Sequence, residues 1–313
     1  MAREHLIDAV RDVLAKTGFY VSERPTLRGL VFDVVARRDE VLLLIKVLQN
    51  VDAFTRANAT ELKMIATTLD GSPLVIGGRS GSGKLEDGVV YSRFGVPILS
   101  VQTFMDFFED GVPPFIFSAP GGLYVRIDAN RLRRARQEKR ISLGTLAEVA
   151  GVSRRTIQMY LDGMGATVDM AMRLEQFLGE PLVLPVDPFY YTKEVASELS
   201  SWDDLDRFEK DVFERLEELG YDVRPTIRCP FEAFTRDREL ILLTAVGGHG
   251  TALDVKASMV ASLSRVTEKD SVLFVERETS RRSLRGTPLI ARPELRRIRD
   301  RNRFIELIEE RRT

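Results

Sequence analysis

Cysteine and histidine are almost absent from this chain of 313 residues. Cys229 is the single cysteine, which excludes an intrachain disulfide and a cysteine-based zinc site. His5 and His249 are the only histidines, which excludes a histidine-rich metal cluster. Any bound metal would need carboxylate ligands, and we expect neither a metal nor a cofactor.

Long hydrophobic runs are also missing. No apolar segment approaches the ~20 residues that a membrane span requires. Residues 1–19 alternate charged and apolar residues at helical spacing, without the continuous apolar segment of a secretory signal. With 44% hydrophobic and 30% charged residues, the composition is typical of globular proteins. We expect a cytoplasmic protein with no membrane partner.

The formal net charge is only -1, but the charges are distributed unevenly along the chain. Residues 194–222 are rich in Asp and Glu. Between residues 131 and 155 the only acidic residues are Glu138 and Glu148, whereas the basic residues are Arg131, Arg133, Arg134, Arg136, Lys139, Arg140, Arg154 and Arg155. A concentrated basic segment favours a nucleic-acid partner.

Prolines and glycines cluster at residues 113–122, and prolines alone at residues 181–188. Such clusters mark loops and domain boundaries. A chain of this length also suggests two or three domains of roughly 100 to 200 residues each. We therefore predict three segments: 1–118, 119–186 and 187–313.

The first and third segments carry the same order of predicted elements, which indicates an internal repeat. Two residue pairs match between them: Pro25-Thr26 with Pro225-Thr226, and Phe32-Asp33 with Phe231-Glu232. Any two helix and strand patterns resemble each other to some degree, but the matched pairs favour duplication. The expected fold is multidomain, with an all-α middle domain of four to five helices between two duplicated α/β domains.

Three local signals divide the middle segment into helices. Ser142 can cap a helix over LGTLAEVA, Gly151 suits a left-handed turn, and Ser153 can cap a helix over RRTIQMYLD. This pattern predicts a helix-turn-helix within a unit running from about Asp128 to Gly179. The predicted core residues of this unit are Leu146, Ala147, Val152, Ile157 and Leu161.

This spacing resembles the Cro and lambda-repressor type of helix-turn-helix domain over about 50 residues. In that family the second helix lies in the major groove, which implies that its exposed residues read base edges. Those residues are Arg154, Arg155, Thr156, Gln158 and Met159. The implied phosphate contacts are Arg133, Arg134, Arg136, Lys139, Arg140, Ser142 and Ser153. Alternatively, the unit is a protein-interaction module whose arginines form a solvated face.

The first segment resembles the PD-(D/E)XK nuclease fold, in particular archaeal Holliday-junction-resolvase-like domains, in its opening helix and in the strands VFDVVAR and VLLLIKV. In that family an aspartate on one strand and a Glu-x-Lys on the next bind Mg²⁺. Asp33 and Lys46 match this pattern, but Leu44 occupies the Glu position and cannot ligate a hard cation.

The equivalent residues of the third segment are Glu232, Leu243 and Ala245, so the lysine is missing there as well. Both outer segments therefore resemble nuclease-derived scaffolds without catalysis. We expect no enzyme activity, and Asp33, Leu44 and Lys46 form at most a degenerate nuclease site.

Two glycine-rich segments suggest phosphate or metal loops. Gly78, Gly83 and Lys84 fit a P-loop spacing, but Leu85 follows where Ser or Thr would hold Mg²⁺, and no helix is predicted next. A surface hairpin is the better interpretation. His249, which lies among glycines, is interpreted as part of a flexible turn.

Across nearly the whole chain, the order of domains resembles an archaeal family of helix-turn-helix transcriptional regulators. That resemblance implies sequence-specific binding to double-stranded DNA, as a homodimer on a palindromic operator. Two alternatives stay open. One is a Mg²⁺-dependent, site-specific nuclease or resolvase-like enzyme, and the other is a protein-interaction scaffold that uses the acidic residues 194–222.

Overall fold

Interleaved stretches of sequence build two compact units in a computed structural model of the chain. Unit 1 contains Met1–Val13, Val47–Phe54 and Leu74–Thr192, and unit 2 contains Leu14–Lys46, Thr55–Pro73 and Lys193–Thr313. The structure describes residues 3–27, 29–191, 202, 205–238, 240–248 and 250–312. His249 and the first part of the acidic segment 194–222 lie outside the described residues.

Helices and strands mix throughout the described chain. The first segment contains α1 (Arg3–Lys16), β1 (Tyr20–Val21), β2 (Val34–Arg38), β3 (Val41–Asn50), α2 (Arg56–Thr68), β4 (Ser72–Ser80), β5 (Gly83–Lys84), β6 (Val89–Arg93), β7 (Val96–Ser100) and α3 (Val101–Phe108). The middle segment contains β8 (Ile116–Ala119), β9 (Gly122–Ile127), α4 (Ala129–Glu138), α5 (Leu143–Ala150), α6 (Arg154–Leu161), β10 (Ala166–Thr167), α7 (Val168–Leu178) and β11 (Val183–Leu184).

The third segment repeats the mixed pattern. It contains α8 (Arg207–Glu218), β12 (Asp222–Pro225), β13 (Ala233–Arg236), β14 (Ile241–Gly247), α9 (Thr251–Thr267), β15 (Asp270–Val275), β16 (Ser283–Leu284), β17 (Thr287–Ala291), α10 (Arg292–Leu295) and α11 (Arg301–Arg311). None of the helices in the described ranges is long and apolar enough to cross a membrane.

In unit 1, strands follow one another in the order β4-β7-β6-β8-β9-β10. β8 continues the sheet through a parallel pairing with β6, and it forms an antiparallel hairpin with β9. The proline- and glycine-rich segment at the predicted boundary 118/119 is thus the turn of this hairpin. The predicted P-loop-like segment is the β4–β5 hairpin, in which Arg79 lies opposite Lys84, so the hairpin prediction is confirmed.

The middle segment is not all-α, which corrects that part of the expected fold. Strands β10 and β11 both pair with β9. Val125 and Ile127 of β9 are buried in the same core cluster as the helices. These helices are short, and the strand supplies part of the apolar surface against which they pack.

Unit 2 contains a sheet with the strand order β12-β13-β14-β15-β17-β16. The middle of β14 is a continuous buried run, which suits a strand covered on both faces. β14 pairs with β13 antiparallel and with β15 parallel. The core of this sheet contains several large aromatic side chains, among them Phe213, Phe274 and Phe304.

Within unit 2, residues of the first segment contact the third segment directly. The Glu61 side chain of α2 is 3% exposed, and its Oε1 accepts hydrogen bonds from the backbone N–H groups of Ile227 (2.9 Å) and Arg228 (2.7 Å). The backbone N–H of Glu23 donates to the hydroxyl of Ser262 on α9 at 2.7 Å. These polar contacts join the two segments.

We predict that Glu61→Ala lowers the free energy of unfolding of unit 2 by about 2–4 kcal/mol, because two N–H groups lose a charged acceptor. Glu61→Gln keeps an acceptor oxygen and should lose less. Trp202, the only tryptophan, packs against Phe213 within this unit, so its fluorescence during urea unfolding measures the loss. The exposed Glu40→Ala variant is the control, and equal stability of Glu61→Ala and Glu40→Ala would contradict the prediction.

Candidate nucleic-acid interface

The α5-turn-α6 unit forms as the sequence predicts. The Ser142 and Ser153 hydroxyls cap α5 and α6 by accepting hydrogen bonds from the backbone N–H groups of Thr145 and Thr156, each at 3.1 Å. Between the helices Gly151 adopts φ 69° and ψ 32°, a left-handed conformation that glycine adopts without steric cost. The two serine caps and the left-handed glycine thus separate α5 from α6 by a short turn.

Helix α6 has one buried face and one exposed face. Ile157, Tyr160 and Leu161 pack into the core cluster, whereas Arg155, Gln158 and Met159 are exposed. The exposed residues stand at i, i+3 and i+4 and therefore share one side of the helix. Three of the predicted base-reading residues thus form a continuous exposed stripe.

The other two predicted base-reading residues have different surroundings. The guanidinium of Arg154 lies over Gly144 of α5, where an added Cβ would come within 3.0 Å of its Nη2. Thr156 is half-buried, and its hydroxyl lies 2.9 Å from that of Ser153 within the helix cap. Arg154 is therefore exposed beside the stripe, and Thr156 takes part in the cap.

The predicted core is reproduced with two differences. Leu146, Ala147, Ile157 and Leu161 are buried, whereas Val152 is only partly buried at the edge of the cluster. Tyr160, which the pattern analysis did not include, is buried. Its burial is consistent with its position three residues after Ile157 on the same face, and desolvation raises the pKa of its hydroxyl.

Two of the predicted phosphate contacts bind helix ends within the protein. Arg133 of α4 donates to the carbonyl of Leu161 at the end of α6 and lies 3.8 Å from the Asp162 carboxylate. Lys139 donates to the carbonyl of Leu178 at the end of α7. Carbonyls at a helix C-terminus lack intrahelical partners, so cations there stabilise the ends of both helices.

The remaining basic residues of α4 differ in their exposure. Arg134 and Arg140 are exposed and have no hydrogen-bond or ion-pair partner among the described residues. Arg136 is half-buried, and its Nε lacks a hydrogen-bond partner in the described part of the chain. Arg131 donates to the carbonyl of Pro181 at 2.9 Å. Arg134 of α4 and Arg140 of the turn after it are thus the cations of this region most available to a ligand.

Arg173 of α7 is a basic residue that the sequence analysis missed. It is exposed, and its Nη1 lies 3.2 Å from the position of a Cβ added to Gly151. It therefore lies beside the turn that precedes α6. Because Arg173 is 18 residues beyond Arg155, outside the dense basic segment, charge counting did not detect it, and only the packing of α7 on α5 brings it to the turn.

The degenerate nuclease site keeps an acid and a base, which pair with each other. The buried Lys46 ammonium lies 3.5 Å from Oδ2 of Asp33 and also donates to the carbonyl of Leu30. Leu44 is completely buried. The lysine thus supplies the positive charge beside the aspartate. In the described ranges, no three His, Cys, Asp or Glu side chains are grouped so that they could hold a metal.

Glu232, the predicted counterpart of Asp33 in the third segment, also lies beside a lysine. Glu232 accepts a hydrogen bond from Lys256 of α9 at 2.6 Å and another from the backbone N–H of Val246 at 2.6 Å. Burial raises the pKa of Glu232, and Lys256 opposes that shift. Leu243 and Ala245 are both buried.

Comparisons with known proteins agree with two of these regions. The family model described as a PD-(D/E)XK superfamily domain matches residues 3–114, and the model described as helix-turn-helix matches residues 132–184. No solved structure matches the chain.

Related proteins match this chain along nearly its full length. A protein of Methanosarcina acetivorans is 38% identical over 327 residues, covering 99% of this chain and 98% of the relative. A protein of Natronomonas pharaonis is 40% identical over 315 residues, covering 99% of each chain. Both are named "Putative HTH-type transcriptional regulatory protein".

We predict that Lys46→Met lowers the free energy of unfolding of unit 2 by roughly 3 kcal/mol, because it removes the ammonium beside a buried carboxylate. The double variant Asp33→Asn/Lys46→Met removes both charges and should recover part of the loss. Urea unfolding followed by Trp202 fluorescence measures both values. A double variant no more stable than Lys46→Met would show that the pair is not coupled.

Proposed function

We propose that this chain, which belongs to the archaeal family of HTH-type transcriptional regulatory proteins, is a sequence-specific regulator that inserts α6 into the major groove of double-stranded DNA. The observation that carries the proposal is the exposed stripe of Arg155, Gln158 and Met159 on a short capped helix. A helix of this kind fits the major groove, and its side chains reach base edges.

The proposed roles divide by chemistry. Arg155 suits a guanine, because a guanidinium can donate to O6 and N7 together, and Gln158 suits an adenine. Met159 offers an apolar contact for a thymine methyl group. Arg154 reads an edge base or contacts the backbone from its position over Gly144.

Phosphate contacts are assigned to exposed cations of the helix-turn-helix segment. Arg134 of α4, Arg140 of the turn after α4 and Arg173 of α7 have no partner among the described residues, so each can neutralise a phosphate without breaking an internal bond. Arg133 and Lys139 are assigned instead to the ends of α6 and α7, which they hold in place. Ser142 and Ser153 contribute mainly as helix caps.

We further propose that the third segment is a second nuclease-like domain that arose by duplication. The strand order β12-β13-β14-β15-β17-β16 corresponds to β1-β2-β3-β4-β7-β6, element for element. The contacts inside unit 2 are also reciprocal. Glu61 of α2 binds the backbone at Ile227 and Arg228 after β12, while the hydroxyl of Thr26, after β1, lies 3.9 Å from the sulfur of Met259 on α9.

This pairing bears on the proposed homodimer. Because α2 and α9 face partners within unit 2, two chains pair through other surfaces and not through these helices. The dimer places its two α6 helices about one DNA turn, ~34 Å, apart on a palindromic operator. Two linked sites raise the effective concentration of each helix at its half-site.

The proposed function does not include DNA cleavage. Each nuclease-like segment pairs its acidic residue with a lysine, and leucine occupies the position of the metal-binding Glu. A nuclease remains the enzyme alternative because the PD-(D/E)XK model matches residues 3–114. Mg²⁺-dependent nicking of a bound duplex would support that alternative.

We predict that selection from a random duplex pool at near-physiological salt enriches a palindromic motif. Arg155→Ala should relax preference at one position of each half-site by about 1–3 kcal/mol, because a bidentate base contact is lost. Arg134→Ala should weaken binding to all DNA sequences alike, because one phosphate contact is lost. It should also reduce the slope of log affinity against log salt concentration by roughly one.

The matched control is Arg277→Ala, which removes an exposed arginine of the third segment and should change neither property. Equal effects of Arg155→Ala and Arg134→Ala would contradict the division into base and phosphate contacts. Absence of any enriched motif with the wild-type chain would contradict the proposed function, and affinity independent of salt would favour the protein-interaction scaffold.

A further inference from the structure

Unit 1 contains a cavity of about 590 Å³ where α1, α3 and the β4–β5 hairpin meet. Its apolar lining includes Leu6, Ala9, Val101 and Met105, and the charged residues that line it are Arg79, Lys84 and Asp87. The volume lies within the range of roughly 300–1,000 Å³ that small-molecule sites occupy. The predicted hairpin GGRSGSGK thus borders this cavity.

The lining of the cavity carries two positive side chains and one negative side chain. Lys84 lies 3.6 Å from the Asp87 carboxylate, which also accepts a hydrogen bond from the Ser100 hydroxyl at 2.6 Å. Arg79 stands opposite Lys84 in the hairpin register, is exposed, and has no partner in the part of the chain that the structure describes. One guanidinium is therefore left to meet a ligand, directly beside apolar walls.

We propose that this cavity binds a small amphipathic anion, with an aromatic or aliphatic body between α1 and α3 and a carboxylate, sulfonate or phosphate at Arg79. Burial of the apolar body supplies affinity, and the guanidinium selects the anionic form through charge-assisted hydrogen bonds. A neutral molecule of the same shape leaves Arg79 unpaired and binds more weakly.

The position of α3 connects this cavity to the helix-turn-helix segment. Val101 and Met105 face the cavity, while Phe107 and Phe108 contact Phe189, with ring centroids 5.4 and 5.8 Å apart. Phe189 follows the strand β11, which pairs with β9 of the helix-turn-helix core. A ligand that shifts α3 therefore shifts a segment packed against that core, and this coupling rests on the proposed DNA-binding function.

The test is a fluorescence titration of the full chain with 1-anilinonaphthalene-8-sulfonate, an aromatic sulfonate. We expect one saturable site. Ala9→Trp, which fills the cavity, and Arg79→Ala, which removes the cation, should each weaken binding about tenfold or more, as expected for loss of a charged contact or of the space itself. Arg277→Ala is the control and should bind like the wild type. Because Arg79 is exposed, its variant tests the site even where Ala9→Trp does not fold.

Displacement of the probe separates the charge requirement from apolar binding. Salicylate should displace it, whereas the neutral salicylamide should displace it much less well. Unchanged probe affinity in Arg79→Ala, or equal displacement by both compounds, would overturn the proposal.

The coupling is measured separately, as the affinity for a selected duplex with and without saturating salicylate. We expect a change in the wild type that disappears in Arg79→Ala. Probe binding without any change in DNA affinity refutes the coupling but supports the proposed binding site. Probe binding by a chain that binds no DNA refutes the proposed function but supports the proposed binding site.

Discussion

A carboxylate removed from water requires a compensating positive charge or several N–H donors, and this constraint shapes the protein at three places. Asp33 lies beside Lys46, Glu232 beside Lys256, and Glu61 accepts two backbone N–H groups. In a metal-dependent nuclease a divalent cation compensates such acids. Here lysines do so, and they lie on different elements: Lys46 is on the strand β3 of the first segment, and Lys256 is on the helix α9 of the third segment. The third carboxylate, that of Glu61, joins the two segments within unit 2.

The sequence predicts the helix-turn-helix closely because its signals are local. Serine caps, a left-handed glycine and an apolar residue every three or four positions act within a few residues, so α5 forms over the predicted residues and α6 ends one residue before its predicted end. Individual strands of the outer segments, such as VLLLIKV within β3, are likewise indicated by short apolar runs. These features depend on neighbours along the chain and not on distant packing.

Other properties depend on residues that meet only after folding. The pairing of Arg133 with the carbonyl of Leu161, and of Lys139 with that of Leu178, joins positions 28 and 39 residues apart. Charge counting therefore does not reveal that these two cations bind helix ends, or that Arg173 lies beside the turn at Gly151. The pairing of Glu232 with Lys256 likewise requires α9 to fold back beside β14. Charge composition thus indicated the type of partner, while the assignment of individual arginines required the packed structure.

The β8–β9 hairpin connects the core on which α6 packs to the preceding sheet through backbone hydrogen bonds. β8 pairs with β6 of the preceding sheet, and β9 forms part of the core on which α4 to α7 pack. A DNA-reading unit on a flexible linker loses rotational freedom each time it docks. In this chain the β8–β9 hairpin already ties the helix-turn-helix core to the preceding sheet, so in the proposed dimer the spacing and rotational phase of two half-sites would have to match the protein. One base pair inserted at the centre of such a proposed operator turns one half-site by about a tenth of a helical turn. A flexible linker would absorb that mismatch, whereas a hydrogen-bonded strand would not.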